Sequence, residues 1–399
     1  MGANLRITNA LIFDGLTSEL QEGGIRIVDG EIVEIGEMQA GGDDFNIDAA
    51  GRTVIPGLID AHFHAYAIGI HIDVIEMTPL SFTALAAAQR LKSALYRGFT
   101  TVRDVAGGDA GLARAIAHGL LASPRYLYTG AALSQTGGHG DPRSAQFDQC
   151  FHGGRMCEIV DGEDAVRRAS RERFRHGAHA IKMMTSGGVV SPDDPIRQAQ
   201  YSSGEIRAAV DEAQRRDSYV AAHAYSPEAI RHSVNNGIHS IEHGNLLDDE
   251  VSALMAAKGA FLVPTLVAYD AMDRRGAGLG LSSVSHAKNR EVLDSGKLAI
   301  TRARRAGVDI GFGTDLMGEL ENDQLLGLRL QSEADGMLNT LRSTTSVNAA
   351  LLARPELGRI AIGARGDLLV LEANPLEQPD VLWDERKLRT VVQAGRVLS

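Results

Sequence analysis

His62 and His64 stand two residues apart at the end of the apolar run Thr53–Val54–Ile55–Pro56–Gly57–Leu58–Ile59. If that run is a strand, Asp60, His62 and His64 share one face, because side chains alternate along extended chain. One histidine at a strand end is ordinarily just a hydrogen-bonded polar residue. Two converging imidazoles suit a metal ion: protonated rings would repel each other, whereas neutral ones each offer a lone pair. Further candidates end other strand-like runs: Lys182 in HAIKMMTSGG, His223 in YVAAHAY, His243 in HSIEHGN and Asp315 in DIGFGTD. Each has a plain structural reading by itself, and Lys182 could be an ion-pair partner of Asp315. Five strand ends that all carry a potential ligand point jointly to a metal centre.

Such a centre needs strands that all end on one side. The middle of the chain alternates strand candidates (VIPGLIDAHFHA, FTTVRDVAG, RYLYTGAALS, HAIKMMTSGG, SYVAAHAYS, HSIEHGN, FLVPTLVAY, DIGFGTDLM) with helical stretches such as FTALAAAQRLKSALYRG, GEDAVRRASRERFRHG, SGEIRAAVDEAQRRD and SPEAIRHSVNNG. Ser226-Pro227 offers an N-cap followed by proline at the first helical position. Eight strands alternating with helices predict an α/β fold, a (β/α)8 TIM barrel with functional groups at the C-terminal strand ends. A doubly wound open sheet is the competing fold, but no glycine-rich phosphate fingerprint follows the first strand. Both ends of the chain read as short strands with Asp-Gly and Ala-Gly turns. They predict a small β-sandwich domain from residues 1–56 and 356–399, flanking a barrel over 57–355.

The 399 residues, 44% of them hydrophobic, suffice for one large domain with a small accessory one. A net charge of −11 argues against a nucleic-acid partner, which calls for a basic face. No run of roughly 20 apolar residues spans a membrane. The start, MGANLRITNALIFDG, alternates like a strand and lacks a leader pattern, so a cytoplasmic protein is expected from the chain as given, a trimmed export signal being the alternative. Cys150 and Cys157 make no disulfide framework; they are two free thiols or a bridge within one loop, away from the strand ends.

On these motifs the chain resembles the amidohydrolase superfamily, which carries His-x-His on strand one, lysine on strand four, histidines on strands five and six and aspartate on strand eight. The resemblance rests on VIPGLIDAHFH, TTVRDVAG, IEHGN and the tail LGRIAIGARGDLLVLEANPL, with Gly366-Asp367 where Ala-Asp is more usual. IKMMTSGGVVSP, TGGHGD and AAHAYSPEAI look most like the Xaa-Pro and Xaa-Arg/Lys dipeptidase branch, which also holds ochratoxin-hydrolysing enzymes. The resemblance implies that His62, His64 and Asp315 bind one divalent ion and His223 and His243 a second, with zinc the first expectation. An ammonium has no lone pair to give a cation; the resemblance implies that Lys182 is carboxylated by carbon dioxide to a carbamate that bridges both metals. It further implies hydrolysis of an amide beside a free carboxylate, in dipeptides or N-acyl amino acids. A hydroxide shared by the metals would attack, and Asp315 would move its proton to the leaving amine. A homo-oligomer is implied too, the octamer being a frequent form in the family.

His139, in TGGHGD after strand three, is a candidate donor to the oxyanion and to substrate. Tyr225, two residues beyond His223, is a candidate partner for the substrate carboxylate. Either could equally be a packing residue. The segment SGGVVSPDDP is expected to cover the pocket, while His71, His118, His152, His176, His179, His232, His239 and His286 read as surface or core polar groups. Two other functions compete. A cyclic-amide or lactone hydrolase, or a deaminase, of the same superfamily is one, although mononuclear deaminases need no bridging lysine. A non-catalytic scaffold is the other, and it should have lost ligands.

Overall fold

The structure, a computed structural model, describes residues 4–42, 44–143, 150–151, 153–191 and 193–398. His152 and Pro192, the latter in the expected covering segment, lie outside the described residues. The chain opens with β1 (Leu5–Ile12), β2 (Gln21–Val28), β3 (Glu31–Gly36), β4 (Phe45–Asp48) and β5 (Thr53–Pro56). Strands and helices then alternate: β6 (Leu58–Phe63), α1 (Ile72–Met77), α2 (Leu80–Tyr96), β7 (Phe99–Asp104), α3 (Ala110–Ala117), β8 (Arg125–Tyr128), β9 (Ala132–Ser134), β10 (Cys157–Ile159), α4 (Glu163–Arg175), β11 (Ile181–Met184), α5 (Ser203–Gln214), β12 (Val220–Ala224), α6 (Pro227–Asn235), β13 (Ser240–His243), α7 (Asp249–Lys258), β14 (Phe261–Val263), α8 (Leu266–Arg275) and α9 (Ser283–Ala306). The tail returns to strands, β15 (Leu368–Leu371), β16 (Arg389–Gln393) and β17 (Arg396–Val397). Among the described residues no helix is long and apolar enough to cross a membrane.

The two chain ends form one eight-stranded sheet of order β17-β16-β15-β5-β1-β2-β3, with β4 beside β1. Its alternating apolar residues, among them Leu5, Ile7, Ile25, Ile27, Val54, Leu368, Val370 and Val392, share one buried core. Fully burying each such side chain contributes about 1.5–3 kcal/mol.

The central strands are parallel, in the orders β6-β7-β8 and β10-β9-β11-β12-β13-β14. Hydrogen bonds cross both seams between these sheets. His179 N donates to Tyr128 O at 2.7 Å on one side. On the other, Gly311 N donates to Leu262 O at 2.8 Å and Ala61 N to Phe312 O at 2.9 Å.

The helices begin where their capping residues place them. Ser226 Oγ accepts from Ala229 N ahead of Pro227, and Ser202 with Glu205 makes a capping box on α5. Several expected strands are shorter. RYLYTGAALS divides into β8 and β9, and FLVPTLVAY turns helical after Val263, from Leu266. DIGFGTDLM makes a single bridge, Ile310 to Leu262. Of the tail GRIAIGARGDLLVLEANPL, only Leu368–Leu371 is strand.

A single residue joins the terminal sheet to the central strands. β5 belongs to the terminal sheet and β6 carries His62, and Gly57 alone separates them. Gly57 N donates to Asp367 O at 2.8 Å, and a Cβ there would sit 2.2 Å from Thr100 Oγ1. Only glycine lets the two strands run on without a break.

Candidate active site

His62, His64, His139, Lys182, His223, Tyr225, His243 and Asp315 all line one cavity at the C-terminal ends of the central strands. His62 lies on β6 and His64 directly follows it, Lys182 lies on β11, His223 on β12, and His243 ends β13. The ligand atoms of His62, His243 and Asp315 lie within 4.8 Å of one another, close enough to hold a metal ion. His64 Nε2 is 2.9 Å from Asp315 Oδ1, and the rings of His223 and His243 are 4.6 Å apart. Burial, reinforced by neighbouring positive groups, pushes His223 and His243 well below the usual imidazole range, for His243 against the pull of Asp315, and so favours the neutral form that can ligate a metal. Burial pushes the Asp315 carboxyl up, but His62 and His64 outweigh it and hold it well below the carboxylate range.

Lys182 makes no ion pair with Asp315. Its Nζ is fully buried without a hydrogen-bond partner, and burial lowers its pKa to about 8 against the opposing pull of Glu242 and Asp315. A buried, unpartnered amine beside neutral and acidic ligands is an anomaly in a protein core, since an orphaned buried polar group costs about 1–3 kcal/mol. The donor set fits a divalent metal centre, with the unpartnered Lys182 amine standing inside it.

The motifs VIPGLIDAHFH, TTVRDVAG and IEHGN also carry the supports of these ligands, Asp60, Arg103 and Glu242. His62 Nδ1 is 2.7 Å from Glu242 Oε2, and Glu242 Oε1 accepts from Arg103 Nη2 at 2.7 Å. Arg103 is wholly buried and also donates to Ala61 O at 2.6 Å. Burial pushes Glu242 up, yet Arg103 and His62 outweigh it and keep it ionised. Asp60 accepts from Thr314 Oγ1 at 2.6 Å and Gln324 Nε2 at 3.0 Å, tying β6 to the Asp315 turn. The one signal of these supports is a charged residue inside each apolar strand, Arg103 in TTVRD and Glu242 in SIEH. Such a residue needs a buried partner. Glu242→Gln is expected to lower metal affinity about 10- to 100-fold, the scale seen when a ligand's outer partner is lost. Competition against a chelator measures this, and an unchanged affinity would remove Glu242 from the support of His62.

Three residues at the site hold left-handed backbone: His243 (φ 77°), Asp315 (φ 54°) and Thr265 (φ 45°). Such strain persists where surrounding contacts over-determine it. Thr265 Oγ1 and Tyr269 OH both lie 2.8 Å from His243 Nδ1 and supply that hold.

His139 stacks on His223 with ring centres 4.3 Å apart, and its Nδ1 is 2.7 Å from Ser191 Oγ, which donates to Asp194. Burial lowers its pKa against the pull of Asp194. Lys288 Nζ donates to the carbonyls of Gly188, Ser191 and Asp194, so α9 pins the segment that holds His139. Tyr225 is buried in the cavity wall, with its hydroxyl 2.9 Å from that of Tyr269. Cys157 corrects the sequence reading: β10 pairs with β9 and brings this thiol into the cavity wall, where burial raises it to about 12. It is a neutral wall group and no nucleophile. Both cysteines are free, which rules out the loop bridge. The remaining wall is largely apolar, with Met156, Met184, Met272 and Met317 among its members.

Comparison with known proteins places this geometry. The chain is 33% identical over 371 residues to the ochratoxinase of Aspergillus niger, covering 87% of this chain and 75% of that protein. It superposes on a solved prolidase complexed with N-methylphosphonate-L-proline with a TM-score of 0.96 at 41% identity, each chain fully covered. A Xaa-Pro dipeptidase with methionine bound in its active site gives a TM-score of 0.88 at 28% identity, again over both whole chains. The Amidohydrolase family matches residues 53–398, and with the ligand cluster at the strand ends this chain belongs to that family of hydrolytic enzymes.

Proposed function

We propose that this hydrolase cleaves an amide bond next to a free carboxylate, in dipeptides or N-acyl amino acids, ochratoxin-type amides included, on a closed (β/α)8 barrel flanked by the terminal sheet as a small domain (residues 1–56 and 356–399 around 57–355). The single observation that carries the reading is the orphaned Lys182 amine inside a cluster of four histidines and Asp315. Seam-crossing hydrogen bonds support the closed barrel. His62, His64 and Asp315 would hold one divalent ion, His223 and His243 a second, and carboxylated Lys182 both, with zinc as the metal. Two such ions supply an acidified water and a polarised carbonyl. Asp315 accepts the proton of the attacking water and returns it to the departing amine, which must be protonated to leave. His139 donates to the developing oxyanion, and Tyr225 donates to the substrate carboxylate, so that the scissile bond is held in register. The free thiols of Cys150 and Cys157 support a reducing, cytoplasmic compartment. The working form is a homo-oligomer.

The test is a screen of dipeptides and N-acyl amino acids with zinc-loaded enzyme, scored by released amino acid. Masking the carboxylate as an amide or ester is expected to cost roughly 10- to 100-fold in kcat/KM, equivalent to about 1.5–3 kcal/mol for a charge-assisted hydrogen bond. Tyr225→Phe is expected to erase part of that discrimination while metal content stays constant. Equal rates on free and masked substrates would favour a cyclic amide or lactone instead.

A further inference from the structure

Val74, Met77, Leu80, Phe82 and Leu85 are exposed by 50%, 72%, 49%, 61% and 72% respectively. Val74 and Met77 stand three apart on α1, and Phe82 and Leu85 three apart on α2, so each pair shares a helix face. Only Thr78 and Pro79 separate the two helices, so the two exposed faces follow each other directly along the chain. Together the five side chains leave on the order of 600 Å² in water, the top of the range for the largest apolar patch on a monomer. Two such patches laid face to face remove roughly 1,200 Å², the lower bound of a stable specific interface.

Charge selects the occupant. The chain carries −11 overall, so two copies repel wherever their acidic surfaces meet. From Met77 to Gln89 no side chain is charged. This stretch is therefore a surface on which two copies approach without like-charge repulsion. Helix α1, which carries Val74 and Met77, also backs the cavity that holds the ligand cluster. Ile72 and Ile75 of α1 line that cavity, while Glu76 accepts from Arg155 N at 2.7 Å and Met156 N at 2.6 Å. The helix is thus fastened on its inner side and bare on its outer side.

We propose that residues 74–85 form an isologous contact with the same residues of a second copy of this chain. The proposal deepens the homo-oligomer reading and does not depend on the substrate. Sedimentation velocity of the metal-loaded enzyme at micromolar concentrations tests it. Wild-type mass is expected to be an even multiple of 42.6 kDa. The double variant Met77→Glu/Leu85→Glu should fall at least twofold in mass with circular dichroism and metal content retained. Leu120→Glu, at a 77% exposed leucine outside the patch, should keep the wild-type mass. If the charged double variant misfolds, Phe82→Ser/Leu85→Ser is measured in its place, with the same fall in mass expected. A wild-type mass of one chain would overturn both the surface and the homo-oligomer reading. An oligomeric wild type whose mass survives the patch variants would overturn the surface alone.

Discussion

Lys182→Ala is expected to lose most of the bound metal and nearly all activity, whereas wild type purified with zinc and bicarbonate should hold about two divalent ions per chain. The reasoning starts from the amine itself. It is buried on β11 with no hydrogen-bond partner, and burial already favours its neutral form. Neutral amine is the form that adds carbon dioxide, with loss of a proton, and the proposed carbamate would replace an orphaned nitrogen by two oxygens that share one negative charge. On that reading alanine would remove those oxygens and leave imidazoles and one carboxylate to hold the metal. Metal analysis and a turnover assay on the same preparation decide the matter. Full metal with full rate in Lys182→Ala would overturn the bridging role.

Asp315→Asn separates binding from proton transfer. An amide oxygen still coordinates weakly, so part of the metal should remain. The carboxylate, however, is the group assigned to take and return a proton, and an amide cannot do so. A loss of roughly 10²–10⁴-fold in turnover is expected, the usual scale of general acid-base catalysis. The backbone argues against a trivial misfolding explanation: Thr314 N and Asp315 N both donate to His62 O, at 3.2 and 2.8 Å, and neither bond involves the substituted side chain. Near-normal turnover at full metal loading would remove Asp315 from the proton-transfer role.

Residue types and spacing make the ligand candidates readable because period-two alternation carries His62 and His64 onto one face and the apolar run marks where the strand ends. The same rule hides their supports. Alternation sends neighbours Glu242 and His243 to opposite faces, yet both reach His62, one by hydrogen bond and the other by a ring 5.0 Å away. The left-handed turn at His243 makes this possible, and no local pattern in SIEHG announces it. Asp315 is legible although its strand is reduced to one bridge, because the turn chemistry of GFGTD survives without a ladder. Cys157 is not, since β10 is only three residues long and owes its position to pairing with β9, which is tertiary rather than local information. The paired hydroxyls of Tyr225 and Tyr269 are likewise a contact between β12 and α8 that spacing alone does not show.

Gly57 has a meaning for how this chain tolerates change. With one residue between the terminal sheet and β6, the register of β5 against β15 fixes where His62 falls, five positions after Gly57. A strand rises about 3.3 Å per residue and flips its faces at each step. A single insertion or deletion between Thr53 and His64 therefore displaces the imidazoles by a full step and turns them outward. Loops elsewhere absorb length changes locally, but this segment transmits them straight to the chemistry. The terminal sheet thus serves as the datum from which the active site is measured, and grafting the central strands onto another scaffold must carry that sheet with them.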